Sequence, residues 1–487
     1  MMRKKGRIFF RADGDSQMGL GHIVRCGALA EMIGNEWDCI LYTRCTVASV
    51  IAESKTRFSA VVSLPLEIEY LDEARAFSSN LGRNDMVVLD GYHLGENYQQ
   101  IIRSAGALLI CIDDIHACFF HAAAVINSAG GITPEDYEAL PGTQFYLGLQ
   151  YTLLRKPFLE RAAGRNEKKH NKNVLICLGG ADPNNTTLEV VQFLVAVNRF
   201  DEFRIVTGGG YQHRAELEEY ITAHRVKAKL LHSLSAGEFA ELMSSCSYAV
   251  CSPSTVSYEY MTVGGVVYLK QIADNQKDMI NYLTGEGFAF HLAEAGTTTD
   301  HAEQQSLAKQ ASVFDGKAGE RLKGIFDKLS LSRQLSIRKV RPADMLRCFE
   351  WANDPAVREQ SFSSGVIQLQ DHNNWFTAKL KDVNSYFYIV ELENLPVAQI
   401  RFQVSESVAV LGYLIDSNYR SKGLGTTILS KGLEAFTNDF GRPVLITGYV
   451  KHSNIASQRS FEKLKFTKTE ATEYEASYKY TMQYDGN

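Results

Sequence analysis

Apolar residues in the first 300 positions form short runs, separated by stretches in which they recur every three or four residues. The runs predict strands over 7–12, 40–43, 58–62, 86–90, 108–112 and 124–126. A second series falls over 173–178, 203–207, 227–231, 248–252, 265–269 and 288–291. Helical periodicity lies between them, at 186–197, 213–224, 236–245 and 275–285. Alternation of this kind predicts an α/β fold with parallel sheets covered by helices. Two such blocks imply two Rossmann-like lobes, 1–160 and 170–330, joined by the polar connector Glu160–Lys169. From Leu335 the pattern changes, with strands such as Tyr386–Val390 mixed among helices, and a third domain is expected over 335–487.

Composition narrows the class. A chain of 487 residues exceeds one ordinary core. Hydrophobic residues are 45% and charged residues 22%, as in soluble globular proteins. A net charge of −5 offers no basic surface for nucleic acid. Nine cysteines without a C-x-x-C pair, an odd count, predict reduced thiols and a cytoplasmic setting rather than a disulfide framework. MMRKKGRIFF has only a short apolar run before Arg11, too little for a signal peptide. No uninterrupted apolar stretch of about 18 residues predicts a membrane span.

The first chemistry-bearing run is RADGDSQMGLGHIVRC, residues 11–26. It follows the strand Ile8–Phe10 and opens a helix whose positions Ile23, Cys26, Ala30 and Ile33 share one face. The Gly19-x-Gly21 turn sets His22 at the helix N-terminus, near Asp13 and Asp15. Glycine lets a ligand approach the backbone. The free amides and the positive dipole end suit phosphate and disfavour an imidazolium. His22 is therefore expected as a neutral base or water-orienting group, and Asp13 as its support or as a sugar ligand. The alternative for His22 is a helix-capping residue.

The second lobe carries three loops at successive predicted strand ends. Gly179-Gly180-Ala181-Asp182-Pro183-Asn184 precedes a helix and is either a phosphate cradle or a plain turn. Ser252-Pro253-Ser254-Thr255 leads into a helix that its hydroxyls could cap, with Glu259 as a candidate ribose acceptor. Asp274-Asn275-Gln276 supplies carboxamides for substrate or phosphate. Open parallel sheets bind ligands at such strand ends. Two simpler features read as structural: Gly208–Gly210 as a turn, and Cys111–His116 as turns and caps rather than a metal cluster.

These segments, with Asp90-Gly91-Tyr92 and YLGLQYTLLRKPF at 146–158, resemble the UDP-sugar hydrolases of pseudaminic acid biosynthesis over about residues 6–310. The resemblance implies a GT-B-like pair of lobes with UDP on the second. It also implies cleavage of the anomeric C–O bond of UDP-2,4-diacetamido-2,4,6-trideoxy-β-L-altropyranose by water, without a metal. His22 matches the family's catalytic histidine, and Asp13 and Tyr92 match sugar-site positions. Pro253 departs from the small residue common in relatives.

In the third domain, Leu414-Ile415-Asp416 ends a strand and Arg420-Ser421-Lys422-Gly423-Leu424-Gly425-Thr426 precedes a helix. Arg-x-x-Gly-x-Gly in that context is an anion cradle. The segment resembles the GNAT acyltransferase family, an α+β fold, as do Trp351–Arg358 and Asn454–Phe466. The resemblance covers about 335–485. It implies acetyl-CoA as co-substrate, lying in a V between two strands. Amides near Leu414 to Asp416 would polarise the thioester, residues 420–426 would hold the pyrophosphate, and Asn454 would meet the pantetheine. Phe461 stands where many members have a tyrosine acid, and Lys465 replaces a common glycine. His372, Glu391 and Tyr413 are the available guesses for a base, each with a structural reading.

Together the two resemblances point to a bifunctional enzyme making a nonulosonate for flagellin or surface glycans. It would act on small nucleotide-sugars, with no nucleic-acid or membrane partner. A glycosyltransferase with a sugar or lipid acceptor, and a non-catalytic nucleotide-sugar or acyl-CoA sensor, are the alternatives.

Overall fold

The structure, a computed structural model, describes residues 4–15, 19–165, 171–180, 182–232 and 234–486. Ser16–Met18 of the first motif, Ala181 of the second and residues 166–169 of the expected connector lie outside the described residues. Two compact units divide the chain, 1–324 and 325–487.

The first unit holds two parallel sheets. Strands β1 (Arg7–Ala12), β2 (Asp38–Thr43), β3 (Ala60–Ser63), β4 (Met86–Asp90), β5 (Leu108–Ile112), β6 (Ala124–Asn127) and β7 (Gln144–Leu147) form one, in the order β3-β2-β1-β4-β5-β6-β7. The other contains β8 (Asn173–Cys177), β9 (Glu202–Thr207), β10 (Ala228–His232), β11 (Tyr248–Cys251), β12 (Val266–Leu269) and β13 (Phe290–His291), ordered β10-β9-β8-β11-β12-β13. Every pairing in both is parallel. Central strands are buried along their length, as in β4 with Met86 to Asp90 all enclosed, because helices cover both faces. In each sheet the order reverses beside the first strand, between β1 and β4 and between β8 and β11. The loops leaving those strands diverge there and open a crevice.

Helices 186–197 and 236–245 fall on the expected residues. The second is fixed by a capping box, with Ser235 accepting from the Glu238 amide and Glu238 accepting from the Ser235 amide. Strand β7 is an addition to the expected set. Its four half-buried residues lie on the sheet edge and lack a clear period. The expected strand 288–291 is reduced to two residues. The division at 324 falls inside the helix Ala318–Gln334, upstream of the expected start at 335. All nine cysteines are free thiols. Among the described residues no helix is long and apolar enough to cross a membrane.

The second unit is built on β14 (Leu335–Lys339), β15 (Ser385–Leu392), β16 (Leu395–Ser405), β17 (Val408–Ile415), β18 (Val444–Lys451), β19 (Thr467–Glu470) and β20 (Ser477–Tyr484). Their order is β14-β15-β16-β17-β18-β20-β19. Pairing is antiparallel except between β17 and β18. That parallel pair is in register only over Val408–Leu411 and Leu445–Gly448. Beyond Leu411 the two strands part, with β17 held by β16 and β18 by β20.

Candidate active sites

The crevice between β1 and β4 brings His22 and Asp90 together. His22 is the second residue of the helix Gly21–Ile33, and Asp90 is the last of β4. His22 Nδ1 lies 2.7 Å from Asp90 Oδ1. One turn further along the helix, Arg25 donates from Nε to Asp90 Oδ2 and from Nη2 to Oδ1, both at 2.6 Å. Nη1 of Arg25 reaches Asp114 Oδ2 at 2.7 Å. Residues three apart on a helix share a face, so both side chains meet one carboxylate. Burial would raise the Asp90 carboxyl, which is fully enclosed. The Arg25 charge and the bonds from His22 and Arg25 outweigh that and hold it below its ordinary value.

A carboxylate at 2.7 Å fixes the proton on Nδ1 and leaves Nε2 as the basic nitrogen. Tyr92 meets the His22 ring edge-on, with centroids 5.0 Å apart. Burial and the neighbouring Asp114 push its phenol up to about 12, so it is protonated at neutral pH. Tyr92 is 56% exposed. A β-carbon on Gly19 or on Gly21 would meet nothing within 4 Å. Open space thus adjoins the start of the helix.

Asp13 does not support His22. Its carboxylate lies beneath the crevice with Arg11, which is completely buried. Arg11 donates from Nη2 at 2.8 Å, the Arg44 amide donates at 2.7 Å, and His93 Nε2 stands 3.0 Å away. Glu73 completes the cluster, receiving Arg11 Nε at 2.6 Å, Arg44 Nε at 2.7 Å and the Tyr98 hydroxyl at 2.9 Å. Burial opposes ionisation of Asp13, but its bonds with His93, Arg11 and the Arg44 amide hold the carboxyl far below the usual range. Asp13 directly follows β1 and is taken by Arg11 and the Arg44 amide, whereas Asp90 ends the adjacent strand β4 and is taken by His22 and Arg25. The backbone carbonyl of Asp15 closes the turn by accepting from the Gly19 amide at 3.0 Å.

The second crevice, between β8 and β11, brings Gly179, Gly180 and Ser254 to neighbouring strand ends, above the in-register pair Cys177 and Cys251. Gly179 adopts φ +114°. Gly208 packs so closely on Gly180 that a β-carbon would lie 2.2 Å from its carbonyl oxygen. The glycines of 208–210 therefore serve a backbone contact as well as a turn.

Several expected ligand roles change here. The start of helix 186–197 is already occupied, since Asp182 accepts from the amides of Thr186 at 2.9 Å and Thr187 at 2.7 Å. A phosphate at those amides would meet a carboxylate. Asn184 is exposed beside it. Glu259 is 2% exposed and bound by Arg155 through Nε and Nη2, at 2.8 and 3.0 Å. A ribose would have to displace that guanidinium, so Glu259 is a structural partner of the segment after β7. Ser254 sits at the N-cap of helix 255–263, but its hydroxyl caps nothing; it lies 3.1 Å from the Ser252 hydroxyl. Thr255 and Asn275 are exposed. The side-chain Oε1 of Gln276 accepts from the amides of Ile272 and Ala273 at 2.9 and 3.3 Å, which orders that loop.

Asp113 and His116 are also accounted for: the Asp113 carboxylate accepts from the His116 amide at 2.8 Å and from the Tyr137 hydroxyl at 3.0 Å. Among the described residues no cluster of three or more His, Cys, Asp or Glu side chains is arranged for a metal ion.

In the second unit the parting of β17 from β18 makes a V. The Asp416 amide donates to Val397 on β16 at 2.9 Å, and the Leu445 amide donates to Ser407. Alternation along the strand then turns even-numbered amides, Leu414 and Asp416, towards β16. It turns those of Tyr413 and Ile415 into the V. Of the expected Leu414 to Asp416, Ile415 alone turns its amide into the opening, joined there by that of Tyr413. The Asp416 side chain accepts from Trp351 Nε1 and the Asn418 amide, at 2.7 and 2.9 Å.

Ser421 and Gly423 adopt φ of +61° and +70°, which turns successive amides to one side. Helix 425–440 starts at Gly425 without a side-chain cap. Among the described residues, the amides of 421–427 make no backbone hydrogen bond. Arg420 is anchored by the Ile415 carbonyl and Asp354, both at 2.8 Å, with Nη2 buried and unpartnered. Lys422 lies over the Tyr419 ring. Thr426 is half-buried at the start of the helix.

Asn454 is a helix cap, its Oδ1 accepting from the Ser457 amide at 3.1 Å. Phe461 is 2% exposed and stacks on Tyr480. Lys465 adopts φ +60°, the conformation the common glycine would take. The three guesses for a base are structural. His372 is buried against Phe349, Trp375 and Phe376, and burial lowers its pKa. Glu391 receives Arg338 Nε at 2.8 Å. The Tyr413 hydroxyl is 2.8 Å from that of Ser457.

Known proteins bear on both units. The acetyltransferase (GNAT) domain family matches residues 334–467. The uncharacterized protein MJ1062 of Methanocaldococcus jannaschii is 23% identical over 494 residues, covering 95% of this chain and 97% of its own. The UDP-2,4-diacetamido-2,4,6-trideoxy-beta-L-altropyranose hydrolase of Campylobacter jejuni is 22% identical over 294 residues, 58% of this chain and 97% of that protein. The solved structure of AAC(6')-Ib in complex with ribostamycin and coenzyme A is 19% identical over 32% of this chain and 94% of its own, with a TM-score of 0.28. The chain resembles a UDP-sugar hydrolase in its N-terminal part and carries a GNAT acetyltransferase domain at its C-terminus.

Proposed function

We propose that the first unit hydrolyses a UDP-activated 2,4-diacetamido-2,4,6-trideoxy sugar and that the second N-acetylates its 4-amino precursor with acetyl-CoA. The observation that carries the first half is the His22–Asp90 pair at the β1/β4 crevice. The two sheets of the first unit act as the lobes of a GT-B enzyme, the sugar meeting Tyr92 and the Gly19–Gly21 turn, and UDP meeting the Gly179, Ser254 and Asn275 loops. Water attacks the anomeric carbon from the face opposite UDP. Its proton passes to His22 Nε2 while the carbon–oxygen bond to UDP breaks, and Asp90 stabilises the resulting imidazolium.

In the second unit the sugar amine attacks the thioester carbonyl, whose oxygen is met by an amide facing the V. Coenzyme A leaves as a thiolate, and the proton lost from the acylated nitrogen passes to that thiolate or to solvent water. A thiol with an ordinary pKa of about 8.5 needs no acid, which fits a buried Phe461. The proposed setting is the cytoplasm, in nonulosonate synthesis for surface glycans such as flagellin decoration.

Phosphorus and proton NMR of the full chain with the UDP-sugar, without acceptor, tests the first half. Release of UDP and free sugar, abolished by His22→Ala, supports it. An intact bound substrate overturns it in favour of a transferase or a sensor. Transfer of acetyl from acetyl-CoA to the UDP-4-amino sugar tests the second half.

A further inference from the structure

Helix 318–334 lies almost wholly before the acetyltransferase match, yet its last turns pack on the anion cradle of the second unit. Lys328, Leu331 and Ser332 recur at helical spacing and present one face. The methylenes of Lys328 cross Gly423 so closely that a β-carbon there would meet Cδ at 3.0 Å and Cε at 3.4 Å. Ser332 Oγ is 3.1 Å from Oγ1 of Thr427 in the first turn of helix 425–440. Leu331 packs in one cluster with Leu424 and Ile428. Lys328 is half-buried, and burial together with the neighbouring Lys463 ammonium lowers its pKa. The stem of Lys328 thus brings a cationic side chain to a loop whose amides lack backbone partners, a setting that suits an anion.

We propose that Lys328 is a direct ligand of the phosphate groups of coenzyme A, so that helix 318–334 belongs to the coenzyme site although it precedes the recognisable acetyltransferase domain. The inference rests on the acetyl-CoA reading above. Residues 421–427 supply directional N–H donors, and Lys328 supplies a charge from outside the loop, across Gly423.

Titration calorimetry of the full chain with coenzyme A and with 3′-dephospho-coenzyme A tests this, using Lys328→Met, Lys328→Gln and Lys328→Arg. Methionine keeps the stem over Gly423 and removes only the charge. Loss of one charge-assisted bond weakens coenzyme A binding about tenfold in the Met and Gln variants, and Arg retains affinity within about twofold. If the tenfold loss vanishes with the dephospho compound, Lys328 meets the 3′-phosphate; if it persists, Lys328 meets the diphosphate. Either result supports the proposal. Wild-type affinity in a folded Met or Gln variant overturns it. A wild-type chain that binds no coenzyme A overturns the acetyl-CoA reading itself.

Discussion

Asp90 holds the Nδ1 side of His22 at 2.7 Å, from a strand end 68 residues further along the chain. The two are brought together because β4 lies directly beside β1, at the point where the strand order of the sheet reverses. Arg25 binds the same carboxylate through two nitrogens. The imidazole therefore has a fixed tautomer and a fixed ring plane.

Replacing His22 by Ala is expected to lower UDP release by about 10²–10⁴-fold, the range for a positioned base. Asp90→Asn should lower kcat by roughly 10²-fold or more with little change in KM, because an amide can donate to Nδ1 and reverse the tautomer. Steady-state kinetics of both variants, with the pH profile of kcat, check this. An unchanged kcat in Asp90→Asn refutes the positioning role.

The Arg11–Asp13–Glu73–Arg44 cluster should make itself felt as stability. Removing one partner of a buried ion pair costs about 3–5 kcal/mol. Asp13→Ala is therefore expected to lower the denaturant midpoint of the first unit strongly, whatever it does to turnover. Equilibrium unfolding in urea measures this directly.

The same carboxylates set an acid limit. Asp13 and Asp90 both have folded-state pKa values below their ordinary ones. Their contribution is present in full above the unfolded value of about 3.9, and it drains away as pH falls through the depressed folded values. Melting temperature should hold from neutral pH to about pH 5 and drop below about pH 4. Asp13→Asn should flatten that acid limb. Calorimetric scans across the range report it.

Gly130 tests the contact between the two sheets' elements in the first unit. A β-carbon there would fall 1.9 Å from Cε1 of Tyr282 in helix 277–285. Gly130→Ala should cost about 1–3 kcal/mol through overpacking, and Tyr282→Ala in the same chain should restore most of it. A double-mutant cycle in thermal denaturation gives the coupling.

Phe461 invites a Tyr substitution. Its Cζ and Cε1 would lie 2.6 and 2.7 Å from a β-carbon on Gly448, so the para edge of the ring abuts β18. A Phe461→Tyr hydroxyl would be driven towards that strand. The expected outcome is a loss of about 1–3 kcal/mol with no gain in acetyl transfer, measured by melting and by a thiol-release assay.

Much of this architecture was legible in the chain because local signals agree with the tertiary fold. Helix 236–245 carries its own start signal in Ser235 and Glu238, and the buried runs of β1, β4 and β8 read as central parallel strands. Strand β7 was hidden, being short and on an edge. The glycine turns mark both crevices, but spacing alone does not say which carboxylate faces which cation. Asp13 is nearer His22 in sequence, yet Asp90 is its partner. Glu259 has a ligand-like position, yet Arg155, 104 residues away, takes both its oxygens. Asp182 stands in what reads as a phosphate loop, and only the folded structure reveals that it already fills the helix start.

The V between β17 and β18 also has a kinetic signature. Leu414 and Asp416 direct their amides into the ladder with β16, while Tyr413 and Ile415 direct theirs into the opening. Amide hydrogens of adjacent residues on one strand should therefore exchange with solvent deuterium at alternating slow and fast rates. A ligand whose carbonyls complete the open rungs would erase that alternation, so the strand itself would report occupancy, residue by residue.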